Sequence, residues 1–210
     1  MQKNWFEVDV EGLRSLQKGK SKTFVVRELV QNAWDEDIRN CELEIKYFRN
    51  KVTIVIKDDS PEGFKNLRDA YTLFGDTSKR RNAEKRGRFN LGEKQLISIC
   101  NQAMIKTTKG TITFTKSGRY EIRDKTEQGT IVQIELEGAK EDYEEMVNYS
   151  KKLLVPENIN FTVNGEKVIS KLVHKSFTTT LPTEIQDDGF MKKTKRKTQV
   201  NIMLAEPKLY

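Results

Sequence analysis

Residues 28–36 read Glu-Leu-Val-Gln-Asn-Ala-Trp-Asp-Glu. They lie within residues 23–39, where apolar side chains recur at helical spacing, so we predict a helix over this range. Glu28, Asn32 and Asp35 follow one another at intervals of four and three residues, which places two carboxylates and an amide on one stripe of that helix. The stripe is either a solvated helix face or one wall of a polar cleft.

In a cleft, these side chains have the chemistry of a hydrolytic nucleotide site. A carboxylate at Glu28 can orient and deprotonate a water molecule. The amide oxygen of Asn32 can bind Mg²⁺, a hard cation that takes oxygen ligands and bridges phosphates. The spacing alone does not distinguish this role from that of a solvated surface. Motifs in other segments of the chain are needed to distinguish the two.

Away from this helix, the sequence predicts further helices and a succession of strands. Ser21 precedes the first helix as a candidate N-cap. Since the strands follow one another without a helix between each pair, we expect an α+β fold, a two-layer sandwich in which helices cover one face of a mixed, mostly antiparallel sheet. The strands are predicted at residues 43–48, 52–56, 104–108, 111–115, 120–123, 130–136 and 159–163, and the further helices at 93–100 and 142–154.

Two loops carry further candidates for a nucleotide site. Asp58 follows the second strand and precedes a turn, so it is either a turn-former or a carboxylate that accepts a hydrogen bond from an adenine amino group. Residues 87–92, Gly-Arg-Phe-Asn-Leu-Gly, precede a helix, where glycines let backbone N–H groups approach phosphates. Lys94 lies just beyond them and is either a point charge for a phosphate or a solvated lysine.

Composition narrows the class of protein. A chain of 210 residues with 36% hydrophobic content can form one main domain with an appendage. The net charge of +7 favours polyanionic ligands, among them ATP and nucleic acid. The sequence shows neither a secretory signal nor a membrane-spanning stretch, so we expect a cytoplasmic protein without a membrane partner. Cys41 and Cys100, with a single histidine, make no zinc site and are expected to be reduced, buried thiols.

Taken in order, these motifs resemble the GHKL ATPases, a superfamily that includes the DNA gyrase B subunit, the MutL mismatch-repair proteins, the ninety-kilodalton heat-shock chaperones and the histidine kinases. Residues 28–36 carry the closest match. The resemblance covers about residues 1–170, for which it implies an ATP-binding domain of the Bergerat type with ATP and Mg²⁺ as cofactors and ATP hydrolysis as the reaction.

The resemblance also implies a role for each matching residue. Glu28 would be the general base, Asn32 the Mg²⁺ ligand and Asp35 a wall of the pocket. Asp58 would recognise adenine, Thr130 would place a hydroxyl near it, and residues 87–94 would form a lid over the phosphates. The full set placed at the nucleotide is Asn32, Asp35, Asp58, Gly63, Gly87, Phe89, Asn90, Leu91, Gly92, Lys94 and Thr130.

One loop departs from the family pattern. Where the family has Asp-x-Gly-x-Gly, residues 58–63 read Asp-Asp-Ser-Pro-Glu-Gly. Ser60 replaces the first glycine, and one residue is added before the second, Gly63. The resemblance therefore leaves the shape of the loop beside the adenine open.

One residue bears on which branch of the superfamily the chain resembles. The only histidine, His174, follows the nucleotide motifs instead of preceding them, so a histidine kinase is not expected. In the other branches ATP binding orders the lid and drives dimerisation, which implies an ATP-dependent homodimer. The leading interpretation is an ATP-gated clamp in DNA or RNA metabolism; the alternatives are a chaperone-like ATPase acting on proteins and a nucleotide-sensing module that does not hydrolyse ATP.

Residues 171–210 are interpreted as a basic, β-rich extension, the start of a second, transducer-like domain. A strand is predicted at residues 175–181. The run Lys-Lys-Thr-Lys-Arg-Lys at residues 192–197 either contacts a DNA or RNA backbone or is a solvated hairpin.

Overall fold

The computed structural model describes residues 9–17, 19, 21–63, 66–72, 92–169, 173–187 and 190–203. Its helices are α1 (Val10–Ser15), α2 (Thr23–Trp34), α3 (Gly92–Ile99) and α4 (Lys140–Lys151), with a short 3₁₀ turn at Leu67–Ala70. Among these described helices, none has the length and apolar character needed to cross a membrane. The strands are β1 (Asn40–Phe48), β2 (Lys51–Asp58), β3 (Gln102–Thr107), β4 (Gly110–Thr115), β5 (Gly118–Ile122), β6 (Ile131–Glu137), β7 (Asn160–Val163), β8 (Glu166–Lys167), β9 (Lys175–Asp187) and β10 (Phe190–Ile202).

Strands β1 to β8 form one sheet in the order β5-β4-β3-β6-β2-β1-β7-β8. All neighbouring pairs are antiparallel except β1 and β7, which are parallel. The sheet is therefore mixed and mostly antiparallel, as predicted. This order puts β2 and β6 side by side in the middle of the sheet, so the end of β2 lies against the start of β6.

The sheet is covered on one face. Along β1, Cys41, Leu43 and Ile45 are buried, whereas the alternating residues Glu42 and Glu44 are exposed. The buried row packs in one core with the apolar side of α2 and with residues of α3 and α4. A strand that buries every second residue has one face in the core and one in water, so the two-layer α+β sandwich is confirmed.

Helix α2, which corresponds to the predicted helix over residues 23–39, ends earlier than the sequence predicts. It was expected to reach Arg39, but α2 ends at Trp34 and Asp35 is its C-cap, with its N–H bonded to the carbonyl of Gln31 at 3.0 Å. The cause is a long-range contact, because the carboxylate of Asp59 accepts the N–H of Arg39 at 2.9 Å. That bond fixes residue 39 beside the strand that follows.

Other element ends also differ from the prediction. The residue at the N-cap of α2 is Lys22, not Ser21, although the Ser21 hydroxyl still accepts the N–H of Thr23 at 3.3 Å. Strand β1 begins at Asn40 instead of residue 43, because Asn40 and Cys41 pair with Asn160 and Phe161 of β7, a long-range contact. Both cysteines are free and buried as predicted, and burial raises the pKa of each thiol to about 12.

Strands β9 and β10 form a separate antiparallel hairpin of 13 residues a strand. The basic run at residues 192–197 lies in β10 of this hairpin, and β9 is longer than the predicted strand at residues 175–181. The assignment of this segment to a second, transducer-like domain stays a prediction.

Candidate functional site

Asp58 is the last residue of β2, and its carboxylate is held by backbone groups from two parts of the chain. Oδ1 accepts the N–H of Ser60 at 3.0 Å and the N–H of Thr130 at 3.2 Å. The N–H of Asp58 in turn donates to the carbonyl of Thr130 at 3.0 Å. The side chain is therefore fixed where the end of β2 meets the segment that leads into β6.

The environment of Asp58 disfavours its charge. Burial raises the pKa of this carboxyl above its ordinary value of 3.8, and the nearby carboxylate of Glu36 adds to the rise. The hydrogen bonds from Ser60 and Thr130 act in the opposite direction and do not cancel the effect of burial. A ligand that donates a further hydrogen bond to the ionised carboxylate would thus be stabilised by this group.

The loop that departs from the family pattern is braced at both ends. Asp59 accepts the N–H groups of Arg39 and Asn40 on one oxygen and the Asn40 side-chain amide, at 2.8 Å, on the other. Although burial opposes the charge of Asp59, hydrogen bonds from Asn40 and Arg39 hold its pKa below the ordinary value. Asp59 therefore stays ionised and ties the loop to the start of β1.

Ser60, which stands in place of the family's first glycine, joins the loop to its surroundings. Its side chain is buried, and its hydroxyl accepts the N–H of Gly63 at 3.1 Å. Its carbonyl accepts the N–H of Gly129 at 2.9 Å. A Cβ at Gly63, whose φ is +59°, would come within 3.3 Å of the Thr130 hydroxyl oxygen. The loop thus closes on Thr130 without the missing glycine.

Gly129 makes the tightest backbone contact of this region. Its φ is +71°, and a Cβ added there would lie 1.9 Å from the carbonyl oxygen of Asp58. A separation that short is far inside van der Waals contact, so residue 129 has to be glycine for the two segments to meet.

The predicted residues of α2 lie on its less buried side. Glu28 has 26% of its side chain exposed, and its Oε1 is 3.1 Å from Nη2 of Arg27 in an ion pair. Asn32 lies one turn further along and is partly buried. Between them, Leu29 and Val30 are buried in the core. Glu28 and Asn32 are thus at the edge of the core, where a cleft could reach them.

The end of α2 approaches the end of β2. Glu36, two residues beyond the helix, influences the charge of Asp58. The indole of Trp34 lies beside the thiol of Cys41, which is the residue of β1 paired with Asp58. Asp35, the predicted pocket wall, lies between Trp34 and Glu36 in the sequence and is partly buried. The structure therefore brings the end of the predicted helix motif to the region of Asp58, Gly63 and Thr130.

The predicted lid is described only in part. Gly87, Phe89, Asn90 and Leu91 lie outside the described residues. Gly92 and Lys94 lie in the first turn of α3. The lid and its contacts to phosphate therefore stay predictions.

Sequence reasoning missed the parts of the site that depend on Asp59 and Gln128. The side-chain amide of Gln128 donates to the carbonyl of Asp59 at 2.7 Å. Both residues border a cavity of about 240 Å³ together with Asp37, Arg39 and Pro61. The adjacent Asp58 and Asp59 look like an ordinary turn in sequence, so only the pairing across the sheet could reveal their separate partners.

The donor groups limit how a metal could be held. Within the part of the chain that the structure describes, no group of three or more His, Cys, Asp or Glu side chains could hold a metal ion. Mg²⁺ commonly keeps several waters and binds through substrate phosphates with one or two protein oxygens. The amide oxygen of Asn32 fits that pattern, in which the nucleotide supplies most of the charge.

A comparison with known families supports the nucleotide site. The model described as "Histidine kinase-, DNA gyrase B-, and HSP90-like ATPase" matches residues 20–152, which is more than half of the chain. The matched range runs from the start of α2 through Asp58 and Thr130 into α4. A search of curated proteins finds no match.

Solved structures give a second comparison, at the level of the fold. The ATPase region of Saccharomyces cerevisiae topoisomerase II bound to ICRF-187 (dexrazoxane) is similar at 16% identity and a TM-score of 0.55, over 70% of this chain and 49% of that one. The ATPase and transducer domains of topoisomerase II from Balamuthia mandrillaris are similar at 13% identity and a TM-score of 0.54, over 77% and 56%. The chain spans about half the length of these structures.

Proposed function

We propose that this chain, which belongs to the family of histidine kinase-, DNA gyrase B- and HSP90-like ATPases, binds ATP between α2 and the end of β2 and hydrolyses it with Mg²⁺. The observation that carries the proposal is the partly buried carboxylate of Asp58, oriented by the backbone of Ser60 and Thr130. An ionisable group held in an unfavourable environment by specific donors is typical of a binding site.

Asp58 suits recognition of adenine. Both backbone N–H groups meet the same oxygen, Oδ1. A carboxylate offers about four lone-pair sites, so the side chain retains capacity for the exocyclic amino group of adenine. Because that hydrogen bond would go to an ionised acceptor, it would contribute more than a neutral one.

Glu28 and Asn32 suit the other end of the nucleotide. The carboxylate of Glu28, which pairs with Arg27, can accept a proton from a water molecule that attacks the γ-phosphate. Asn32, one turn away, can present its amide oxygen to Mg²⁺. When bound, the metal would neutralise charge on the phosphates. The chain's own task is then to place the base and the nucleotide on one side of α2.

Asp58→Asn is expected to weaken the binding of a non-hydrolysable ATP analogue by about 10- to 100-fold, which corresponds to roughly 1.5–3 kcal/mol for a hydrogen bond to a charged group. The asparagine can still accept from Ser60 and Thr130, but it presents an N–H group where adenine also donates. Isothermal titration calorimetry on the wild-type and variant chains measures the loss. Equal affinities would show that adenine is recognised elsewhere.

Thermal unfolding without nucleotide provides the control for Asp58→Asn. The raised folded pKa of Asp58 means that its ionisation costs stability as pH rises from the ordinary value of 3.8 through the folded value. The asparagine cannot ionise and avoids that cost, so the variant should be as stable as wild type, or more stable, at neutral pH. A lower melting temperature would instead attribute the binding loss to damaged folding.

Asn32→Ala is expected to remove the part of the affinity that depends on Mg²⁺ while retaining the binding seen with EDTA. The variant loses an oxygen ligand but no contact to adenine, so the metal-dependent increment should fall by at least about tenfold. Calorimetric titrations with and without Mg²⁺ separate the two parts. An unchanged increment in the variant would exclude Asn32 as the ligand.

We further infer that the chain acts as an ATP-gated, dimerising clamp in DNA or RNA metabolism. The family's description includes DNA gyrase B, and the similar folds come from topoisomerase II. Sedimentation velocity should show a shift from monomer to dimer with the ATP analogue and Mg²⁺, and no shift for Asp58→Asn. If the chain is saturated with the analogue and its mass does not change, the proposed ATP-dependent dimerisation is contradicted.

A further inference from the structure

The hairpin of β9 and β10 has two chemically different faces. Directly paired residues of an antiparallel hairpin lie on the same face, and the faces alternate along each strand. One face, here called the lysine face, consists of Ser176, Thr178, Thr180, Pro182, Glu184 and Gln186 from β9 and Met191, Lys193, Lys195, Lys197, Gln199 and Asn201 from β10. The opposite face holds the larger apolar side chains, including Phe177, Leu181 and Val200.

Exposure and side-chain contacts agree with this assignment. Lys193, Lys195 and Lys197 are exposed, whereas the intervening Thr194 and Arg196 are partly buried. On the lysine face, the amide of Gln199 donates to the hydroxyl of Ser176 at 3.0 Å. That hydroxyl donates in turn to the side-chain oxygen of Asn201 at 2.8 Å. The three lysines therefore extend from the side of the hairpin that is lined by hydroxyl and amide groups.

The charge on the lysine face is regular and largely uncompensated. Alternate residues of a strand are about 6.8 Å apart, so Lys193, Lys195 and Lys197 follow one another along this face at about that spacing. Glu184, the partner of Lys193, is the carboxylate on this face. Within the described part of the chain, none of the three ammonium groups is in an ion pair.

We propose that the lysine face binds the sugar-phosphate backbone of duplex nucleic acid. A row of evenly spaced cations matches a polymer with evenly spaced phosphates better than a single compact anion. Hydroxyl and amide side chains beside lysines are the groups that commonly bind phosphate and sugar oxygens. The major groove, about 12 Å wide, also admits a two-stranded ribbon.

The distribution of apolar residues argues for nucleic acid over a membrane surface. A surface helix or strand that binds lipid combines cations with apolar side chains that enter the same interface. Here Phe177 and Leu181 lie on the face opposite to Lys193, Lys195 and Lys197, a face that they share with Lys175, Lys192 and Arg196. The lysine face itself offers only Met191 and Pro182 as apolar groups. The inference rests on the proposed role in nucleic-acid metabolism, but it does not depend on the nucleotide site.

The test uses the whole chain and a fluorescently labelled DNA duplex, with anisotropy measured across a series of KCl concentrations. In K193Q/K195Q/K197Q, affinity at low salt should fall at least tenfold. The slope of log affinity against log salt should become shallower by up to about 2.7, or about 0.9 for each lost phosphate contact. The matched control K116Q/K152Q/K167Q removes the same charge from exposed positions elsewhere and should change both quantities little.

One further variant and two further ligands complete the test. K193R/K195R/K197R keeps the charges and should bind the duplex like wild type, which attributes the loss in the glutamine variant to the charges at these positions. Binding of the ATP analogue should be equal in all variants, so a failed nucleotide site would be recognised separately. The proposal is overturned if wild type does not bind the duplex, if the control loses as much affinity as the lysine-face variant, or if the lysines serve binding to phosphatidylserine vesicles and not to DNA.

Discussion

Glu28→Gln is expected to lower the rate of ATP hydrolysis by about 10²- to 10⁴-fold while leaving the affinity for a non-hydrolysable analogue nearly unchanged. Glutamine has almost the same size and can still orient water, but it cannot take a proton. The ion pair between Glu28 and Arg27 would also be lost, at a site where the side chain is 26% exposed, so little change in stability should follow. Phosphate release under single-turnover conditions measures the chemical step directly.

Two variants serve as controls for Glu28→Gln. Glu44→Gln makes the same change on the exposed face of β1 and should retain wild-type turnover. Arg27→Gln removes the partner of Glu28 without touching the base and should not reduce the rate to the level of Glu28→Gln. Turnover at the wild-type rate in Glu28→Gln would mean that another group is the base. A wild-type chain that binds the analogue tightly but does not hydrolyse ATP would favour the sensing module.

Gly129→Ala is expected to destabilise the fold by about 3–4 kcal/mol, which would lower the melting temperature by roughly 6–16 °C for a chain of this size. The new Cβ would meet the carbonyl oxygen of Asp58 at 1.9 Å, in a backbone conformation with φ of +71°. Relief requires the end of β2 and the segment before β6 to separate. Because that movement displaces Asp58, binding of the ATP analogue should be lost together with stability.

Gly165→Ala is the matched control. Gly165 has a similar φ of +81°, but a Cβ there would meet nothing within 4 Å. It should therefore show only the conformational cost, about 1 kcal/mol, and retain nucleotide binding. Similar melting temperatures for the two alanine variants would mean that the contact between Gly129 and Asp58 relaxes without cost.

The regular parts of the fold could be predicted because their patterns are local. The alternation of Cys41, Leu43 and Ile45 with charged residues along β1 specifies one buried face, and the apolar spacing in α2 does the same for the helix. The ends of these elements could not be predicted. The helix stops before Arg39 because a carboxylate twenty residues later binds the N–H of that residue.

In the candidate site, too, local features could be predicted and contacts between distant segments could not. Asp58 could be placed at the end of a strand from the β-branched residues before it, and the resemblance supplied Thr130. The joining of the two by backbone hydrogen bonds at the end of β2 depends on which strands are neighbours, and neither segment shows this alone. Ser60 looked like a defect in the family pattern because its hydroxyl and carbonyl partners, Gly63 and Gly129, are brought to it only by the fold.

The bracing of the loop after β2 has a consequence for how ligands are distinguished. Asp59 fastens that loop to β1, and Ser60 fastens it to Gly129, through hydrogen bonds within the chain itself. The adenine end of the proposed pocket is thus preorganised, and ATP, ADP and adenosine would meet the same surface there at little conformational cost. ATP and ADP must therefore be distinguished at the phosphate end of the pocket. The contacts that form there determine both which nucleotide is bound and how ADP is released.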